Sequence, residues 1–314
     1  MSAETHLSEL CRGSDIDAII ARLRQVAPLD ESQDSDNIPS NGTSFRSLTD
    51  RYGIWGYQDG DGRTAFHWAV ALKNFDLAQT LMSPPYSSPV LTEDEEWTTP
   101  FATACSVGAP VELLQAILDK SMAEFVKYAS WKAKHFPSAA IKSVGDSGTT
   151  PVISVDTTDG KQEGALFKTG VRGVSIAHDA TAESIMFAIV NSEEATGLTP
   201  LLLAAGRAHL DIARFLVTHG ADLNHQNDRG QSALHRAVNR GNAALVEYLV
   251  AVSEKKNGTN KAAQRRFMDL QDIHGDSALF YASLDNNEEM GRYLLRHGAS
   301  RDLRNRDGKN FWEV

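Results

Sequence analysis

The chain has 314 residues, 41% of them hydrophobic and 23% charged, with a formal net charge of −10. That composition supports a folded core, and the negative balance argues against nucleic acid or an anionic membrane as a general partner. Its two cysteines, Cys11 and Cys105, give neither a disulfide framework nor a zinc cluster and point to a reducing compartment.

The opening stretch "MSAETHLSELCRGSD" carries acidic residues where a signal peptide carries basic ones, and no run approaches the roughly 18 apolar residues of a membrane span. A soluble intracellular protein is expected, cytoplasmic and also nuclear. Residues 5–26 place Leu7, Leu10 and Cys11, then Ile16, Ile19, Ile20, Leu23 and Val26, at helical spacing around the turn residues Gly13 to Asp15. This predicts a pair of N-terminal capping helices. Residues 33–46 are polar and predicted to be mobile.

From residue 59 a pattern recurs. "GRTAFHWAVALKNFDLAQTLM" begins at Gly62 and "WTTPFATACSVGAPVELLQAIL" at Trp97; three further copies begin at Gly197, Gly230 and Gly275. Each aligns on a hydroxyl residue (Thr64, Thr99, Thr199, Ser232, Ser277), with an apolar residue two positions on, an Ala five on, and a Leu-rich helix closing the unit. Thr199 and Ser232 are 33 apart, Thr64 and Thr99 35. These units resemble the ankyrin repeat of about 33 residues, which implies an all-α ankyrin-repeat solenoid. The hydroxyl is expected to cap the first helix, and Pro100 and Pro200 suit its first turn. Ala69, Ala104, Ala204, Ala237 and Ala282 let the paired helices approach closely. One unit cannot bury its own apolar face, so stability comes from stacking. Full repeats are placed at 59–82, 94–118, 196–220, 227–252 and 272–298, with a truncated cap at 305–314, all in a single domain. The start "DGDG" of the first repeat also resembles a calcium loop. That reading fails, because Arg63, Thr64 and Val70 stand where the loop needs an oxygen ligand, a Gly and a Glu.

The regularity breaks between residues 119 and 195. Residues 120–136 continue a helical pattern; residues 137–180 are rich in Gly, Ser, Thr and Asp, and a β-hairpin or mobile excursion is expected there. Residues 181–194 lead back through a short helix. A smaller expansion, 253–266, carries Lys255, Lys256, Lys261, Arg265 and Arg266, either a second contact site or a solvated helix extension.

Hairpin tips and the exposed edge of each first helix are the positions that an ankyrin scaffold leaves free for binding. Here they include Asp61, Arg63 and Trp68, then Asp94, Glu95, Glu96 and Trp97, then Arg207, Asp228, Arg229, Arg236 and Asp276. "LTEDEEW" sets four carboxylates beside an indole, suited to steering a basic partner and burying a ring; Trp97 and Trp68 have packing roles as alternatives. His67 and His235 read as hydrogen-bonding residues of the scaffold. No catalytic constellation appears, and no cofactor or metal site. Cys105 takes a small packing position. An active site in the insertion would have only His135, His178, Asp156 and Asp159, at no recognisable spacing.

Three segments, "DGDGRTAFHWAV" (Asp59 to Val70), "EEWTTPFATACSVG" (Glu95 to Gly108) and "DLQDIHGDSALFYA" (Asp269 to Ala282), together resemble the gankyrin family, the non-ATPase ankyrin-repeat chaperones of the 26S proteasome, in particular its fungal forms. "SALHRAVNRGN" (Ser232 to Asn242) fits the same order. The long insertion departs from the family's compact stack. The resemblance implies a non-catalytic chaperone, monomeric on its own, for assembly of the proteasome regulatory particle. Such a chaperone grips the C-terminal domain of one triple-A ATPase of the base. It implies contacts from Asp61, Trp68, Asp94, Glu95, Glu96 and Trp97, with Arg207, Arg229 and Arg236 further along. The alternative is an ankyrin adaptor for another complex, such as a ubiquitin ligase or a kinase.

Overall fold

The computed structural model describes residues 6–26, 52–135 and 181–314. The polar tract 33–46 and the excursion expected over 137–180 lie outside them. The chain divides into two compact units, Met1–Ser192 and Glu193–Val314. Among the described residues the regular structure is helical, apart from an isolated bridge between Gln271 and Ser277.

The first unit holds α1 (Leu7–Gly13), α2 (Ile16–Val26), a 3-10 turn (Gly53–Gly56), α3 (Ala65–Ala71), α4 (Phe75–Met82), α5 (Pro100–Val107), α6 (Val111–His135) and α7 (Ala182–Val190). The first helices stand side by side, α1 against α3 and α3 against α5, while α4 and α7 pack on α6. Leu7, Cys11, Phe66, Ala69, Phe101, Ala104, Leu114 and Ile117 fill the core between them. Residues 120–135 form no separate element: α6 runs through them as one helix. The second unit holds α8 (Pro200–Gly206), α9 (Leu210–Thr218), α10 (Ala233–Asn239), α11 (Ala243–Asn257), α12 (Lys261–Met268), α13 (Ala278–Leu284) and α14 (Glu288–Arg296). Its first helices α8, α10 and α13 form one row, and α12, part of the expansion, packs on α11 through buried Phe267 and Met268.

Local chemistry sets where each helix starts. Thr64, Thr99 and Thr199 accept the backbone N–H three residues on, at 3.3, 3.1 and 3.5 Å, which satisfies one orphan donor of each first turn. Ser277 departs from that expectation. The Phe280 N–H is taken at 2.9 Å by the Ser277 backbone carbonyl instead, and its hydroxyl makes no capping bond. Three second helices start on asparagines: Asn74, Asn242 and Asn287 cap α4, α11 and α14. Two of them also reach back one unit, Asn74 Nδ2 to the Cys11 carbonyl at 2.8 Å and Asn242 Nδ2 to the Ala208 carbonyl at 3.2 Å.

Hairpins join edge to edge by a backbone bond: Glu95 N–H donates to Asp61 C=O, Asp228 to Thr196, Ile273 to Arg229 and Arg306 to His274, at 2.8–3.2 Å. Gly62 sits at this junction with φ +72°, and a Cβ there would stand 2.8 Å from the Glu95 nitrogen. Gly62→Ala is therefore expected to cost about 2 kcal/mol, left-handed strain plus a backbone collision. Gly220→Ala, where φ is +93° but nothing lies within 4 Å, is expected to cost about 1 kcal/mol. Equal urea midpoints for the two variants would contradict this account of the hairpin junction.

Candidate protein-binding face

Five hairpins are each closed by one side chain. Asp59, Asp94, Asn227, Asp272 and Asn305 accept through Oδ1 from the backbone N–H groups two and four residues on, at 2.8–3.1 Å. A glutamine just before the turn clamps three of these hairpins: Gln58, Gln226 and Gln271 each donate to the carbonyl of the turn glycine four residues on and to a carbonyl of the next hairpin segment.

This bonding sorts the acidic stretch 93–96. Asp94 is 5% exposed. Besides closing its turn, it accepts from Arg63 Nε at 3.0 Å through Oδ2. The sequence sets Asp94 among the residues reaching out to a partner; the structure turns it inward, where it positions the tip. Glu95, Glu96 and Asp61 are exposed around it. Arg63 is half-buried, paired with Asp94, and its guanidinium carbon lies 4.8 Å from the Trp68 ring centroid. Trp68 is also half-buried, and its indole N–H donates to Asp59 Oδ2 at 2.6 Å. One face of the unit thus shows an ordered indole and guanidinium beneath a rim of exposed carboxylates.

Trp97 is the irregular member. It occupies the hairpin position that Gly62, Gly197, Gly230 and Gly275 fill elsewhere, and with φ +62° it adopts the same left-handed backbone. For a residue with a Cβ that costs roughly 1–2 kcal/mol, and the residue is still 40% exposed. Strain kept to hold up an exposed indole is a pattern found at recognition surfaces.

Buried histidines lock the scaffold behind the tips. His67 Nδ1 accepts from Thr64 N–H at 3.1 Å and Nε2 faces the Thr92 carbonyl at 3.1 Å; His235 repeats this with Ser232 N–H and the Asp276 carbonyl, both at 3.1 Å. Burial pushes the His67 imidazole down to about 4, against the opposing charge of Asp94, and lowers His235 likewise. Burial also raises both thiols, Cys11 to about 12 and Cys105 further, so neither is a nucleophile at neutral pH. Among the described residues His6, Asp59 and Asp61 bring possible ligand atoms within 4.8 Å of one another. Asp59 is already engaged, by two backbone N–H groups and the indole, while His6 caps α1.

In the second unit Asp228 and Arg229 are exposed at one tip, and Asp276 Oδ1 accepts from Asn305 Nδ2 at 3.0 Å. Tyr281 takes on α13 the place Trp68 has on α3, donating to Asp272 Oδ2 at 2.9 Å and accepting from Gln231 Nε2 at 2.8 Å. Arg207, exposed, follows α8, and Arg236 and Arg240 project from α10 toward it.

Helix pairs separated by hairpins that bond edge to edge, in a register of about 33 residues, define the architecture. A family model for "Ankyrin repeats (3 copies)" matches residues 175–265, and one for "Ankyrin repeat" matches 274–306. The chain folds as an ankyrin-repeat solenoid. It is similar along most of its length to "Probable 26S proteasome regulatory subunit p28" of Saccharomyces cerevisiae: 22% identity over 260 residues, covering 82% of this chain and 80% of that one. It is 38% identical over 183 residues to human "Neurogenic locus notch homolog protein 1", an alignment that covers 51% of this chain and 7% of that much longer protein. Among solved structures, the ankyrin repeat domain of Bcl-3 superposes with a TM-score of 0.51 at 17% identity, covering 98% of this chain and 92% of that one; at that identity it speaks to the fold. Ankyrin-repeat proteins are generally protein-binding modules. No described helix is long and apolar enough to cross a membrane.

Proposed function

We propose that this ankyrin-repeat solenoid is a non-catalytic chaperone for assembly of the proteasome regulatory particle, and that its hairpin-and-first-helix face grips the C-terminal domain of a base ATPase. The observation that carries the reading is the face of the first unit: exposed Glu95, Glu96 and Asp61 around Trp97 held in a strained backbone, over Trp68 and Arg63. Such a surface attracts a basic partner from solution and then buries a ring against it. The similarity to the yeast regulatory subunit supports the choice of partner because it runs through four-fifths of both chains, whereas the Notch match covers a repeat block of a far larger protein. A resident of the cytoplasm and nucleus would meet that partner.

The test is binding of the purified full chain to a panel of C-terminal domains from the base ATPases. One domain is expected to bind selectively. Glu95→Lys with Glu96→Lys is expected to slow association at least tenfold at low ionic strength, with the difference shrinking as salt rises. No selective binding sinks the chaperone reading. Binding that is indifferent to the charge reversal favours an adaptor that uses another surface.

A further inference from the structure

Four arginines of the unit Glu193–Val314, Arg207, Arg229, Arg236 and Arg240, lie near enough for the charges of the other three to act on Arg236. Arg236, in the second turn of α10, donates from Nε to the Leu202 carbonyl of α8 at 2.8 Å. Arg240, one turn on, donates from Nε to the Gly206 carbonyl at 2.6 Å. Gly206 is the last residue of α8, so its carbonyl has no partner within the helix and carries partial negative charge; together with the Leu202 carbonyl one turn earlier, it holds both side chains in place. Gly206 makes room for this: a Cβ there would collide with Arg236 Nη2 and stand 2.7 Å from its Nε. Arg207 adjoins this end of α8, and Arg229 lies on the hairpin that leads into α10. Their charges and that of Arg240 act on Arg236 together, opposed by the carboxylate of Glu194.

Like charges gathered in this way repel one another and destabilise the surface that carries them. On a chain of net charge −10 the cluster is a local inversion of sign, and an anion seated among the guanidiniums relieves the repulsion. We infer that Arg207, Arg229, Arg236 and Arg240 receive a short carboxylate-rich segment of a protein partner. Guanidinium forks bind carboxylates in pairs of parallel hydrogen bonds, and fixing Arg236 and Arg240 through Nε lowers the entropy lost on binding. The exposed carboxylate of Asp228 borders the cluster at the tip, and Asp285 stands one repeat beyond Arg240. These favour a few carboxylates on a folded partner over a long phosphate chain, which the rest of the surface repels. The inference rests on the reading that this face binds protein; it adds that the second unit takes acidic groups where the first takes basic ones.

The experiment uses the full-length chain and fluorescein-labelled octaglutamate, followed by anisotropy at low salt, with octathymidylate as the competing phosphate polymer. Octaglutamate is expected to bind. Arg236→Gln with Arg240→Gln is expected to weaken it at least tenfold, as is Arg207→Gln with Arg229→Gln, a pair that leaves the bonds to α8 in place. Gly206→Ala, which keeps every charge and displaces Arg236, is expected to weaken it at least threefold. Arg265→Gln with Arg266→Gln, the same charge change on α12, should stay within twofold. The inference is overturned by no binding of octaglutamate, by binding unchanged in both arginine pairs, or by octathymidylate binding as tightly. The probe contains no ATPase sequence, so failure here leaves the chaperone reading standing, and failure to capture an ATPase domain leaves this result standing.

Discussion

Asp94→Ala is expected to lower the unfolding free energy by about 4 kcal/mol. The carboxylate satisfies three donors at once, the backbone N–H groups of Glu96 and Thr98 and the Nε of Arg63, and is itself only 5% exposed. Each orphaned donor costs about 1–2 kcal/mol, and the guanidinium lies at the upper end. The hairpin that presents Glu95, Glu96 and Trp97 should also loosen, so partner affinity is expected to fall although Asp94 is turned inward. Neighbouring Glu95→Ala and Asp61→Ala remove equal charge from exposed positions and should stay within about 0.5 kcal/mol of the parent. Urea midpoints of the three variants decide the matter. An Asp94→Ala protein as stable as Glu95→Ala would mean that the turn does not depend on this side chain.

The second large effect is expected with pH. His67 is neutral in the fold because Nδ1 accepts a backbone N–H, which leaves Nε2 to donate to the Thr92 carbonyl. A proton on Nδ1 would face that N–H, and burial holds the folded imidazole down to about 4. An unfolded chain titrates near the ordinary value of about 6.5. Between those values the unfolded state binds the extra proton, so stability is full above about pH 6.5 and falls as the pH drops toward 4. The slope is about 1.4 kcal/mol per pH unit, or on the order of 3 kcal/mol in all. His235 acts in the same direction. A His67→Gln variant should be less stable at pH 7 and show a flatter decline below it. Unfolding free energies measured from pH 7.5 to 4.5 give the check; a parent protein equally stable at pH 7 and 5 would contradict the buried neutral tautomer.

The fold was legible because its constraints recur at a fixed offset. Thr64, Thr99, Thr199 and Ser232 mark helix starts, the alanines five residues on are all buried, and Trp97 stands in the row of turn glycines. The site was only half legible. The sequence shows a run of four carboxylates at 93–96 without saying which one is turned inward. A signal for that existed in the spacing: Asp59, Asp94, Asn227 and Asp272 each precede the Thr or Ser at a helix start by five residues, the distance an Asx side chain needs to close the intervening hairpin. Asn74, Asn242 and Asn287, ten residues after the same marks, likewise announce the second-helix caps. Arg236 and Arg240 over α8 had no such signal, because their carbonyl partners lie 34 residues away and the small residue that admits them, Gly206, belongs to a different repeat. The basic expansion proved to be the end of α11 and a separate helix α12 rather than one longer helix, since Gly258 and Asn260 stop one and cap the other.

Backbone hydrogen exchange on the full chain, with and without the selected ATPase domain, addresses the binding face most directly. Slowed exchange is predicted at residues 59–63 and 94–98 and along α3, α5 and α10, with α4, α9 and α14 unchanged. Protection confined to the second helices, or absent at saturating partner, would show that the carboxylate-rimmed face is not where this protein holds its partner.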